Sequence, residues 1–164
     1  MAPPASTIRL TEAVDPGDLD RARALFREYQ QAIGVDLCFQ GFEAELASLP
    51  GAYARPAGRL LLATHGEALA GCGALRPLGP GVAELKRMWT RPAERGHGVA
   101  RAVAEALLAA AGSEAYRLVR LDTLTWMSAA RALYRSLGFV EIGPYYPNPL
   151  PGVVYMELEL TRRR

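Results

Sequence analysis

Cysteine, histidine and lysine are scarce in this chain of 164 residues, which has two cysteines, two histidines and a single lysine, Lys86. Cys38 and Cys72 do not have metal-binding spacing, so neither a disulfide framework nor a zinc site is indicated, and buried free thiols are expected. His65 and His97 lie apart from any second ligand pattern, so no metal is predicted. Arginine replaces lysine almost everywhere, which is typical of a GC-rich bacterial genome.

Long apolar runs and a large net charge are missing as well. The longest apolar stretches are far shorter than the roughly 20 residues that cross a bilayer, and the start MAPPASTIRL lacks the apolar core of a signal peptide. A formal net charge of +2 is too small to mark a nucleic-acid surface. We therefore expect a cytoplasmic protein with no nucleic-acid or membrane partner. The average composition predicts a single domain over residues 1–164, with 1–6 and 162–164 frayed.

Short strands alternate with helices along the chain, which predicts an α/β (α+β) fold. A helix is expected over 15–34, with Asp15 as its cap, Pro16 in its first turn and Gly34 at its end. Further helices are expected over 42–51, 99–111 and 128–138, with Ser128 as a candidate cap and Gly138 as the stop. Strands are expected over 7–13, on both sides of a turn at residues 65–67, and over 82–90, 116–124, 139–143 and 153–160.

The stretch RPAERGHGVARAVAEALL, residues 91–108, places two glycines directly before a helix. The first turn of a helix has N–H groups without partners and the positive end of the helix dipole, and Gly96 and Gly98 allow a close approach of the backbone. This pattern predicts an anion site, with phosphate as its natural occupant, although glycines here are also compatible with a plain tight turn. The patterns of nucleotide hydrolases and of dinucleotide-binding proteins are missing.

The run from Arg95 to Ala100 resembles the Arg/Gln-x-x-Gly-x-Gly/Ala element of the Gcn5-related N-acetyltransferases, the GNAT superfamily. The preceding ELKRMWTRP is similar to the family's central strand, and AARALYRSLGF is similar to its second cofactor element, with Ala130, Tyr134, Gly138 and Phe139 in place. The resemblance implies the GNAT fold, a mixed, mostly antiparallel sheet of six to seven strands with a splayed parallel central pair and about four helices.

The resemblance also implies acetyl-CoA as cosubstrate. Main-chain groups of the phosphate loop are expected to hold its pyrophosphate, and those of the central strand its pantetheine arm. The implied cofactor residues are Met88, Trp89, Thr90, Arg95, Gly96, His97, Gly98, Val99, Ala100 and Ala130. Many members carry an asparagine where this chain has Met127, and Ser128 is the candidate substitute.

Two residues are candidates for the proton transfers. Tyr134 matches the family's general acid, because a phenol with an ordinary pKa of about 10 can protonate the departing thiolate. Without the motif, it would be interpreted as a core tyrosine. Glu84 matches the catalytic glutamate of the histone-acetylating branch, and strand alternation predicts that Glu84, Lys86 and Met88 share one face. Its alternatives are a cleft carboxylate paired with Lys86, or a water relay as base.

Two aromatic loops are candidates for the acceptor site. In the family layout the segments with Phe39 and Gln40, and with Tyr145, Tyr146 and Asn148, flank the cleft, so we expect them to face one another around a small, partly apolar amine. Alternatively the tyrosines cover a sheet edge or form a dimer contact, and a homodimer is one expected assembly. The predicted activity is N-acetylation of a small primary amine by direct attack in a ternary complex. The alternatives are acetylation of a protein or peptide, and a non-catalytic acetyl-CoA sensor.

Overall fold

Seven strands form one mixed sheet in the computed structural model, which describes residues 7–34, 36–37 and 41–161. The strands are β1 Ile8–Glu12, β2 Arg59–His65, β3 Ala68–Gly79, β4 Val82–Thr90, β5 Leu118–Leu124, β6 Val140–Ile142 and β7 Val153–Glu159. They are arranged in the order β1-β2-β3-β4-β5-β7-β6, and all neighbours are antiparallel except β4 and β5. This confirms the expected mixed sheet with a parallel central pair.

Among the residues that the structure describes, four α-helices accompany the sheet, namely α1 Pro16–Ile33, α2 Phe42–Ser48, α3 Val99–Ser113 and α4 Ser128–Ser136. The predicted ends of α1 are confirmed, because the Asp15 side chain accepts a hydrogen bond from the Asp18 N–H at 2.9 Å and Gly34 adopts a left-handed φ of 65°. The predicted cap at Ser128 is wrong. Ser128 is already helical, the preceding Met127 holds the cap position, and no side chain bonds there.

Helices cover both faces of the sheet. Apolar residues of α1 and α2, including Phe26 and Phe42, form one core cluster with β2 and β3. The buried stripe of α3, which includes Val103 and Leu107, forms a second cluster with β4, β5 and β7, and Tyr134 of α4 belongs to it. Within the described ranges, no helix is long and apolar enough to cross a lipid bilayer.

The parallel pair separates after its first three residues. The two strands pair from Val82 opposite Leu118 to Glu84 opposite Arg120, although β4 continues to Thr90 and β5 to Leu124. The backbone of β4 beyond Glu84 therefore has no strand partner on its β5 side, which opens a gap at the carboxyl ends of both strands. Such a gap accepts an extended ligand that adds its own hydrogen bonds.

A bulge in β4 changes which side chains face this gap. Trp89 pairs with Cys72 and Lys86 with Ala74, so two β4 residues lie opposite one β3 residue, and Arg87 takes a positive φ of 59°. Met88 consequently packs in the cluster that contains Leu85 rather than on the face of Glu84 and Lys86. The prediction that Glu84, Lys86 and Met88 share a face is wrong, because alternation fails at a bulge.

Candidate active site

A cavity of about 740 Å³ lies where the end of β4, the first turn of α3 and the start of α4 meet. Its walls include the predicted cofactor residues Met88, Trp89, Thr90, Arg95, Gly96, Gly98, Val99, Ala100, Ser128 and Ala130, together with Tyr134. The structure therefore brings together almost all the residues that the sequence assigns to the cofactor. Trp126 also lines this cavity and is 59% exposed.

The phosphate loop has the geometry of an anion cradle. Gly96 and Gly98 both adopt a left-handed φ of 83°, and an added Cβ at either would meet no atom within 4 Å. Gly98 is the N-cap of α3, and no side chain in the described part of the chain caps the helix. Because the first-turn N–H groups of a helix have no intrahelical partner, those of α3 remain available to an anion at the cavity wall.

Two side chains of this loop take different directions. The Arg95 guanidinium lies over the Trp89 ring, 5.2 Å from its centroid, at the edge of the cavity. The His97 ring is exposed and lies against His65, with 4.6 Å between the ring centroids, and His65 Nδ1 is 2.7 Å from Glu94 Oε2. His97 thus belongs to the loop, but its ring is not part of the cavity wall.

A second, smaller cavity of about 50 Å³ lies in the gap between β4 and β5. It shares with the large cavity the wall residues Ile33, Met88, Met127, Ala130 and Tyr134. The two cavities therefore meet at Tyr134, where a long ligand in the first and a small one in the second would come into contact.

Tyr134 is 6% exposed, and its ring makes an edge contact with Phe139 at 5.7 Å between centroids. Its hydroxyl forms no hydrogen bond with the residues that the structure describes. Burial raises the pKa of this phenol, and Tyr29 and Asp122 raise it further through their charges. The group is therefore protonated at neutral pH and can donate its proton to a ligand.

Asp122 is a functional candidate that the sequence analysis missed. It lies on β5 two residues beyond the last paired position and lines the small cavity. Its Oδ2 accepts hydrogen bonds from the Tyr146 hydroxyl at 2.7 Å and from Asn148 Nδ2 at 3.3 Å. No hydrogen bond from the described residues reaches Oδ1, which can still accept a donor from a ligand. The available signal was an acidic residue directly after Leu121 in a strand that is otherwise rich in leucine.

Lys86 and Tyr29 also line the small cavity and were not predicted to be part of the site. Burial and the nearby Arg87 lower the pKa of Lys86, while Glu84 and Asp122 oppose this shift. Burial raises the pKa of Tyr29 to about 12. The cavity wall thus includes the amine of Lys86, the guanidinium of Arg87, the carboxylate of Asp122 and the phenols of Tyr29 and Tyr134.

Glu84 does not occupy the position that a base requires. It is 1% exposed and lines neither cavity. Arg76 Nε donates to its Oε1 at 2.8 Å, and the Tyr145 hydroxyl donates to its Oε2 at 2.5 Å. Both oxygens are engaged, and the predicted pairing with Lys86 is replaced by one with Arg76. This placement favours a structural role for Glu84.

Three of the five predicted acceptor residues lie among the residues that the structure describes. Phe39 and Gln40, like Cys38, lie outside the described residues. Tyr145, Tyr146 and Asn148 line neither cavity, and instead their polar groups bond to Glu84 and Asp122. From the same segment, residues 144–152, it is Leu150 that lines the small cavity. The segment therefore lies over the ends of β4 and β5 and holds Asp122 in place.

The start of α4 differs from the expected hydrogen-bonding site. Met127, at the position of the family's asparagine, lines both cavities. The Thr123 hydroxyl donates a hydrogen bond to the Met127 sulfur at 3.7 Å. Ser128 lies on the wall of the large cavity and is exposed, so its hydroxyl remains the candidate substitute.

A sheet that opens between two parallel strands, next to a helix N-terminus, has a geometry that suits an extended, phosphate-bearing ligand. Comparison with known proteins gives the family. Residues 20–139 match the profile of the Acetyltransferase (GNAT) family. The chain is 40% identical over 160 residues to an uncharacterized N-acetyltransferase of Schizosaccharomyces pombe, covering 96% of this chain and 98% of the relative. The chain therefore belongs to the GNAT family of N-acetyltransferases, whose cosubstrate is acetyl-CoA.

Other similarities agree. An uncharacterized N-acetyltransferase of Dictyostelium discoideum is 26% identical over 215 residues, covering 93% of this chain and 99% of that protein. The crystal structure of an acetyltransferase from Streptococcus agalactiae superposes with a TM-score of 0.77 at 21% identity, covering 93% and 98% of the two chains. These organisms include eukaryotes and a bacterium, so the bacterial origin and the cytoplasmic location remain predictions.

Proposed function

We propose that this protein transfers the acetyl group of acetyl-CoA to the primary amine of a small molecule, by direct attack in a ternary complex. The observation that carries the proposal is the Tyr134 hydroxyl, which lies at the junction of the two cavities and has no hydrogen bond to a described residue. The hydroxyl of the core residue Tyr53 also lacks a partner among the described residues, but Tyr53 lines neither cavity, whereas Tyr134 lines both.

The large cavity supports the binding of acetyl-CoA. The N–H groups from Arg95 to Ala100 would hold the pyrophosphate, and the backbone of Met88 to Thr90 would bond the pantetheine arm where β4 has no β5 partner. Ser128 would add a side-chain hydrogen bond at the start of α4. The thioester would then lie near Tyr134, where the small cavity begins.

Asp122 is the proposed base, in place of Glu84. Its Oδ2 is fixed by Tyr146 and Asn148, so the carboxylate has a defined orientation, and Oδ1 can accept an N–H of the acceptor's ammonium. Removal of that proton frees the nitrogen lone pair for attack. Tyr146 and Asn148 act here as positioning residues.

The proton transfers balance with these two residues. The amine nitrogen forms a bond to the thioester carbonyl carbon, and the carbon–sulfur bond breaks. Tyr134 gives its proton to the departing thiolate, and the second proton lost by the nitrogen restores the Tyr134 hydroxyl. Asp122 releases the first proton to solvent, so the products are an amide, free coenzyme A and one proton.

Enclosure of the small cavity favours a small acceptor over a peptide. The segment 144–152 is tied to β4 and β5 through Tyr145 and Tyr146, and Leu150 closes one side of the cavity. Tyr155 donates a further hydrogen bond to the Tyr146 carbonyl at 3.0 Å, which fixes the segment to β7. A peptide would have to displace this bonded segment.

Thiol release with acetyl-CoA and a panel of amines, amino acids and peptides tests the proposal. We expect release with at least one small amine, and a loss of at least about 100-fold in kcat for Asp122→Asn. Release with peptides alone would favour the protein-acetylating alternative. Binding of acetyl-CoA without release on any acceptor would favour the sensor and refute catalysis.

A further inference from the structure

The chain's single lysine is buried in the wall of the small cavity. Of 19 lysine and arginine residues only Lys86 is lysine, and it is 6% exposed. A buried lysine is rare unless its charge meets a counter-charge. Its position on β4, two residues before Met88, places it beside the proposed reaction centre.

Charges of both signs line this cavity. Lys86 supplies an ammonium from β4 and Asp122 a carboxylate from β5. Arg87 also borders the cavity, but its guanidinium bonds to both Glu45 oxygens, at 2.8 and 3.0 Å, and lies over the Phe42 ring at 5.2 Å. Arg87 is thus directed to α2, while Lys86 and Asp122 face the ligand's space from opposite strands.

We propose that the acceptor is an amino acid or a similar zwitterion, whose ammonium binds Asp122 and whose carboxylate binds Lys86. This rests on the proposed acetyl transfer at the same site. A polyamine would bring a second positive charge towards Lys86, and a simple monoamine would bring no negative charge to its side of the cavity. A zwitterion matches both charges.

The chemistry of Lys86 permits this contact. An ammonium has three N–H donors, so Lys86 can bond a carboxylate oxygen in addition to its contacts within the chain. Burial lowers the pKa of Lys86, so its charged form is disfavoured in the cavity by lost hydration. An entering carboxylate stabilises that charged form and gains a charge-assisted hydrogen bond.

The size of the cavity suits the head group of one amino acid. A volume of about 50 Å³ holds roughly three to five water-sized groups, at about 10–15 Å³ each. This is comparable to an ammonium, an α-carbon and a carboxylate. Ile33, Leu37, Leu124 and Leu150 provide apolar walls for the side chain.

Matched acceptors test the proposal. Thiol release is measured with L-alanine against ethylamine and with L-phenylalanine against 2-phenylethylamine, because each pair differs only by the carboxylate. We expect kcat/KM to favour the amino acid in the better pair by at least about tenfold. A ratio of one or below in both pairs, with amines turned over, would overturn the inference and leave the acetyl transfer intact.

Variants connect that ratio to Lys86. Lys86→Met keeps an unbranched side chain that is one atom shorter and removes its charge, so the ratio should fall by at least about tenfold. Lys86→Arg should retain part of the ratio. Arg55→Met is the matched control for overall charge, because Arg55 bonds Glu12 on β1 and lines neither cavity. An equal fall in Arg55→Met would assign the effect to overall charge and refute the specific contact.

A binding measurement on the unaltered protein covers the case in which Lys86→Met does not fold. Reductive methylation of Lys86 is followed by peptide mapping in the presence of N-acetyl-L-alanine or N-acetyl-L-phenylalanine, and of their uncharged methylamides. The carboxylate forms should slow the methylation of Lys86 by at least about threefold relative to the methylamides. Equal rates would contradict the inference without any turnover being needed. No thiol release with any acceptor would instead refute the proposed acetyl transfer.

Discussion

Replacing Tyr134 by phenylalanine separates catalysis from folding. The hydroxyl forms no hydrogen bond with a described residue, and the ring keeps its edge contact with Phe139 at 5.7 Å. Folding therefore loses no internal hydrogen bond, and we expect the free energy of unfolding to change by less than about 0.5 kcal/mol. The large cavity keeps its walls, so acetyl-CoA affinity should be preserved.

The catalytic cost of Tyr134→Phe should be much larger. A positioned general acid contributes about 100-fold to 10,000-fold in rate, which corresponds to about 3–5 kcal/mol of transition-state stabilisation. The loss should appear in kcat rather than in the dissociation constant of acetyl-CoA, because the proton is given up only as the carbon–sulfur bond breaks. Steady-state thiol release and titration with acetyl-CoA measure the two quantities.

Tyr116→Phe is the matched control for the stability measurement. The Tyr116 hydroxyl donates to the Ala57 carbonyl at 2.8 Å, away from both cavities. This variant should lose about 1 kcal/mol of stability, or about 2–4 °C in Tm, with little change in kcat. Wild-type kcat in Tyr134→Phe, or a Tm loss as large as that of Tyr116→Phe, would return Tyr134 to a structural role.

Three further variants test the phosphate loop and the two carboxylates. Gly98→Glu should abolish the rise in Tm caused by acetyl-CoA, because its charge repels the pyrophosphate. Gly98→Ala has the same backbone cost at φ 83° but adds no charge, so it should keep a larger part of that rise. Glu84→Gln should lower the free energy of unfolding by about 1–3 kcal/mol, because it disrupts the ion pair between buried Glu84 and Arg76, whose side chain is 34% exposed. It should lower kcat less than Asp122→Asn does. The reverse order in kcat would restore Glu84 as the base. Tyr146→Phe should lower kcat by about tenfold, because Asp122 loses one hydrogen bond, and acetyl-CoA affinity should not change. An unaltered kcat would show that Asp122 needs no such positioning.

The phosphate loop and most helix ends could be predicted because their signals are local. Asp15, Pro16 and Gly34 act on the residues next to them, and the two glycines before α3 set the backbone of the loop itself. Such positions are decided by side-chain capping and by φ, which depend little on the remainder of the chain. The strands around the turn at residues 65–67 are predictable for the same reason.

The β4 bulge could not be predicted from alternation. It depends on the pairing of β3 with β4, where the change of register lies between Cys72 and Ala74. The sequence around Arg87 contains no glycine or proline that would indicate an irregular strand. The resulting shift moves Met88 to the cluster of Leu85, and the face predicted from the sequence therefore ends at Lys86.

The choice between the two carboxylates depends on where the parallel strands separate. In the sequence Glu84 and Asp122 look alike, since each is an acidic residue next to leucine or alanine in an apolar strand. In the fold, Glu84 lies opposite Arg120, at the last paired position, and Asp122 lies two residues further along β5, where the gap has opened. A carboxylate in the paired half is enclosed and needs partners from the chain, which Arg76 and Tyr145 supply. A carboxylate beyond it borders the small cavity, as Asp122 does. The role that we propose for each residue therefore depends on the last pair of the ladder, a property that neither strand shows by itself.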